Sequence, residues 1–100
     1  MLDEALDEFD AILDYVRSFH GIHTEEKVYN DILQRIIPLS TMPELGTLDT
    51  KLHYQGKPIR ILHSKHTRII YTVRETEVVI LMLWSNRHDD SMLQSLLSRR

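Results

Sequence analysis

Three side chains in the second half of this 100-residue chain are of the types that phosphate chemistry uses: Arg68, Arg87 and His88. Arginine is a planar, permanently charged donor that meets phosphate oxygens edge-on, and histidine exchanges a proton near neutral pH. His63 and His66 lie near Arg68 in sequence and join these groups as candidate phosphate or target contacts. The other common catalytic patterns do not occur. The chain has no Gly-rich phosphate loop, no nucleophile elbow and no histidines paired with acids at metal-ligand spacing. His20 and His23, near Glu25 and Glu26, read as surface residues at a helix end. No metal and no cofactor is expected.

The elements that must position these groups follow from periodicity. Leu2, Leu6, Phe9, Leu13 and Val16 recur at helical spacing, with acids on the opposite face, so residues 2–19 read as an amphipathic helix. Gly21 suits a left-handed helix end, and Thr24 suits the cap of a second helix running to about residue 38. Together they predict an antiparallel hairpin. Pro43, Gly46, Gly56 and Pro58 mark a connector, with a short strand expected at Lys51 to Tyr54. Ile59 to Leu62, Thr67 to Val73 and Val78 to Ser85 are rich in β-branched and aromatic residues and read as strands of an antiparallel meander. Met92, Leu93, Leu96 and Leu97 predict a short last helix. The fold class is α+β: a helix hairpin on a three- to four-stranded antiparallel sheet, in one domain spanning 1–100.

The short breaks predict that Leu62 pairs with Thr67 and Val73 with Val78. One sheet face would then carry Leu62, Ile69, Tyr71, Val73, Val78, Ile80, Met82 and Trp84. The other would carry Ile59, Ile61, Arg68, Ile70, Val79, Leu81 and Leu83. Both faces are apolar, and the hairpin can cover only one. The last helix or a partner must cover the second, at whose end Arg68, Arg87 and His88 would gather. Tyr71 and Trp84 share parity with core neighbours, so packing is their expected role.

Composition bounds the reading. Hydrophobic residues make up 42% and charged residues 27%, an ordinary globular balance. There is no cysteine, hence no disulfide and no thiolate metal site. No apolar run is long enough to span a membrane, and a cytoplasmic location is expected. The net charge of −3 hides an asymmetry. Residues 1–50 hold eleven acids against three bases, and residues 51–100 nine bases against four acids, giving halves of −8 and +5. A basic half can still face a phosphate chain.

Taken in order, EALDEFDAILDYV, TRIIYTV and VVILMLWSNRHD resemble the RelE/ParE superfamily, the toxins of type II toxin–antitoxin systems, also called plasmid stabilisation proteins. The resemblance implies a toxin held inactive by a cognate antitoxin. It implies either ParE-like poisoning of DNA gyrase or RelE-like cleavage of mRNA on the ribosome. Under the nuclease alternative Arg68 and Arg87 would stabilise phosphate charge, His88 would protonate the leaving oxygen, and the resemblance adds Arg60 as an accessory phosphate or target contact. An inactive relative serving as a protein-interaction domain is the third alternative. The tail after His88 lacks the tyrosine that RelE-like enzymes often keep, and the first half is acidic for a ribosome-docking protein. Both features lean toward the ParE branch or an unassigned target. Antitoxin would bind the second face through Ile59, Ile61, Ile70, Leu81 and Leu83. Family members usually begin with a strand, which is expected to be absent here. Its absence would leave a sheet edge that a second copy of the chain could occupy in a homodimer.

Overall fold

The computed structural model describes residues 1–100. Helix α1 spans Asp3–His20 and buries Ala5, Phe9 and Ile12, with Asp3 and Glu4 at the positive end of its dipole. Gly21 alone joins it to α2, Ile22–Ile36, at φ 89°, a value that glycine tolerates best. The second helix thus starts two residues before Thr24. Backbone satisfies its first turn, Gly21 O accepting from Glu25 N–H at 3.1 Å, and no side-chain cap is used. Phe9 stacks on Tyr29 at 5.7 Å to close the hairpin. Pro38 lacks an N–H, and the helix gives way to a 3₁₀ turn over Ile37–Ser40. A second such turn covers Pro43–Leu45.

Four strands follow as an antiparallel meander: β1 Thr47–Tyr54, β2 Lys57–His63, β3 Thr67–Arg74 and β4 Glu77–Ser85. The first strand is twice the expected length. Its outer half, residues 47–50, is mostly polar and exposes its one apolar residue, Leu48, so alternation does not mark it, and a bulge between Asp49 and His53 interrupts it. Gln55 and Gly56, at φ 50° and 74°, close the β1–β2 turn with two left-handed residues. A 3₁₀ turn at Asp90–Met92 leads into α3, Leu93–Ser98.

Register departs from expectation in two places. Leu62 pairs with Ile69 rather than Thr67, an even shift that leaves side chains on their expected faces. Between β3 and β4 the expected Val73–Val78 pair holds as far as Tyr71–Ile80. Ile70 then pairs with Met82, so Leu81 is the extra residue of a bulge. Beyond it every side chain changes face. Leu83 packs with Phe9, Ile12 and Ile69 under the hairpin, whereas Met82 and Trp84 join Ile61 and Ile70 on the second face.

Tyr54, Leu93 and Leu97 close that second face. Ile59, Ile70, Leu81 and Leu97 have no exposed surface, and Ile61 is buried as well. The sheet is thus sandwiched, with the hairpin on one side and α3 with the end of β1 on the other. No strand lies ahead of α1, and Leu2 N–H makes a single backbone bond to Ile80 O at 3.0 Å. Side chains engage the edge of β4: Glu8 Oε1 accepts from Leu83 N–H at 3.2 Å, and Arg100 donates to Leu81 O at 2.7 Å. On β1, the amide of Gln94 bonds both backbone groups of His53, at 3.1 and 3.2 Å. Plugged edges of this kind resist pairing with another chain.

Candidate functional site

The polar end of the sheet is built by the β2–β3 turn and the exit from β4. Arg68 enters it from β3 opposite Trp84, on the second face. Its Nε donates to Asn86 Oδ1 at 3.1 Å, and Nη2 donates to Asp90 Oδ1 in an ion pair. The same carboxylate oxygen accepts from Trp84 Nε1 at 3.3 Å. The Arg68 hydrogen bond, reinforced by its charge and the indole N–H, holds the Asp90 carboxyl below its ordinary range. The guanidinium is thus engaged on two sides by its own chain, with 16% of the side chain exposed.

Arg87, the next expected member, turns toward the hairpin. Its guanidinium carbon lies 3.5 Å from the ring centroid of Tyr15 on α1, a cation–π stack. It makes no ion pair, and only its backbone N–H is bonded, to Ser85 Oγ at 3.3 Å. His88 packs edge-on against Trp84 with centroids 5.3 Å apart, and its backbone N–H bonds Ser85 O. Arg68 and Arg87 therefore work on opposite sides of the sheet, and the expected single rim is divided. The bulge at Leu81 contributes to the division, because it reverses which face each residue beyond it presents.

The accessory residues also separate. Arg60 donates to Gly46 O at 2.9 Å and Glu44 O at 3.3 Å, fastening the connector to β2. His63 is exposed beside Arg68 in register. His66 sits in the β2–β3 turn, where its carbonyl accepts from Asn86 N–H at 2.9 Å. The residue lines a cleft with Arg87 and His20. The apolar residues expected to meet an antitoxin are interior. Ile59, Ile61, Ile70 and Leu81 pack with Leu93 and Leu97, and Leu83 faces the hairpin. Sequence reasoning did not pick out Asp90, Asn86 or Tyr15, whose partners lie 22, 18 and 72 residues away. Charge alone could say that Arg68 meets an acid but not which one.

A family profile described as the ParE toxin of type II toxin–antitoxin system, parDE, matches residues 1–90. Comparison with curated proteins gives no match.

Proposed function

The chain belongs to the ParE toxin family of type II toxin–antitoxin systems, and from that premise we propose that it arrests growth by acting on DNA gyrase rather than by cutting mRNA. Membership makes a cognate antitoxin its partner. The observation that supports the choice of target is the divergence of Arg68 and Arg87. A nuclease of the RelE type needs two cations and a proton donor on one scissile phosphate. Here Arg68 is satisfied by Asp90 and Asn86, Arg87 stacks on Tyr15, and His88 lies against Trp84. Three groups so placed serve structure or binding better than phosphoryl chemistry.

No helix is long and apolar enough to cross a membrane, and the work of such a toxin needs none. Antitoxin contact at the second face requires α3 to yield, because Leu93 and Leu97 already occupy it. The purified protein is expected to inhibit gyrase supercoiling and to leave ribosome-bound mRNA intact. Arg68→Ala is expected to keep that inhibition. Ribosome-dependent cleavage that disappears in Arg68→Ala would overturn the reading in favour of the nuclease. Harmless expression at verified soluble levels would favour an inactive relative.

A further inference from the structure

A cleft of about 450 Å³ opens between the hairpin and the polar end of the sheet, and it meets the Arg68 cluster only at Asn86. Tyr15, His20 and Thr24 line it from the helices, and His66, Asn86 and Arg87 from the sheet. In a chain with 15 acidic residues, none of the residues lining this cleft is an Asp or Glu. Glu25, which follows Thr24, is held by Arg17 at 3.2 Å and lines a different cleft. Two acids line a further cleft together with Arg87, and both are engaged, Glu8 by Arg100 and Asp89 by Ser91 N–H.

Most arginines of this molecule are committed. Arg17, Arg35, Arg68 and Arg100 are ion-paired, and Arg60 and Arg74 bond carbonyl or amide oxygens. Arg87 and Arg99 have no side-chain hydrogen bond, and of these two only Arg87 lines the cleft. Stacking on Tyr15 occupies the face of its guanidinium and leaves the in-plane N–H donors free. Those edges are the ones that meet two oxygens of a phosphate at once. Behind them Val16 and Val28, half-buried, supply an apolar wall. A pocket of this size with an apolar wall and few polar anchors suits a small organic ligand.

The geometry points to a phosphate-binding site in this cleft, with Arg87 and His66 holding a phosphate ester and Val16 and Val28 receiving its apolar part. The ester is a free nucleotide or a nucleic-acid backbone. The site stands independently of which macromolecule the toxin attacks. It is tested by titrating the full chain with inorganic phosphate, AMP and a short single-stranded DNA, following Arg87 and His66 resonances by NMR and affinities by calorimetry. Saturable shifts at both residues are expected, with Arg87→Ala weakening binding roughly tenfold and Arg87→Lys recovering only part of it. Arg99→Ala is the control and is expected to bind like the parent chain. AMP binding tighter than phosphate identifies a nucleotide site, and DNA binding tighter than AMP identifies a backbone site. Absence of saturation with all three ligands overturns the assignment. Binding unchanged in both Arg87→Ala and His66→Gln, with their thermal stability intact, overturns it equally.

Discussion

Arg68 and Asp90 form an ion pair across the polar end of the sheet, tying the middle strand to the segment that leads into α3. The bond joins residues 22 positions apart and also catches the indole of Trp84 through one shared oxygen. It occupies the guanidinium that would otherwise be the most plausible nuclease group.

This pair has a pH signature. Asp90 is held below its ordinary value of 3.8 chiefly by the Arg68 hydrogen bond. A carboxyl with a depressed folded-state value adds stability above its unfolded value and loses it as pH falls through the folded one. The parent chain is therefore expected to melt above Asp90→Asn at neutral pH, the gap closing as pH drops below 3.8. High salt is expected to narrow it too, because the carboxylate is exposed. Parallel thermal melts between neutrality and acid check this, and a gap independent of pH would remove the pair from the account.

Tyr71 fastens the connector to the sheet. Its hydroxyl donates to Pro43 O at 2.6 Å in a half-buried bond and accepts from Gly46 N–H at 2.8 Å in a buried one. Tyr71→Phe leaves both backbone groups without a partner and is expected to cost about 1–3 kcal/mol in denaturant unfolding. Burial pushes the phenol above its usual 10.0, so the parent is stabilised up to that pH and loses the contribution as pH rises through the folded value. Tyr71→Phe is expected to lack this alkaline decline.

Gly46→Ala tests the same contact sterically. A Cβ there would lie 2.7 Å from Tyr71 Cε1 and from its hydroxyl, and the ring has no exposed surface into which to retreat. A loss of about 1–3 kcal/mol is expected, measured by chemical denaturation.

The extent to which the fold could be read from the chain depended on whether each feature had a local cause. The α1 stripe and the Gly21 break announce themselves, because helical periodicity and a positive φ act over a few residues. The Leu81 bulge does not. VVILMLW is apolar on both faces, so a one-residue slip leaves no trace in its alternation. That slip moved Leu83, Met82 and Trp84 to faces opposite those expected. The candidate site failed to converge for a related reason. Arg68 and Arg87 were recognisable by type, but their partners, Asp90 and Tyr15, are chosen by tertiary packing.

Leu97 seals the second face from α3 and is fully buried against a cluster including Ile59, Ile70 and Leu81. A six-residue helix has little stability of its own, so burial of Leu93 and Leu97 holds it in place. Leu97→Ala is expected to cost about 2–5 kcal/mol through lost transfer energy and the cavity left behind. Hydrogen exchange should report it first as faster opening of α3, ahead of β3, which lies in the middle of the sheet. Equal exchange of α3 amides in both proteins would contradict this role.

Glu8 and Arg100 close the edge of β4 and join the two ends of the chain in doing so. Their charged groups meet at 2.5 and 2.9 Å, with side chains 25% and 8% exposed. Glu8 also accepts from Leu83 N–H, and Arg100 donates to Leu81 O, so the pair satisfies backbone groups that no neighbouring strand reaches. Removing one partner strands a half-desolvated charge and an unpaired edge group together. Glu8→Ala is therefore expected to cost about 3 kcal/mol. Glu8→Gln keeps an acceptor for Leu83 and loses only the charge, so its cost should be smaller. The double change Glu8→Leu with Arg100→Leu removes both charges at once, and its loss should fall well short of the sum of the single ones. A second outcome follows from the exposed edge: light scattering should show Glu8→Ala associating at concentrations where the parent stays dispersed. Additive losses with no change in association would mean that the pair neither couples nor guards the edge.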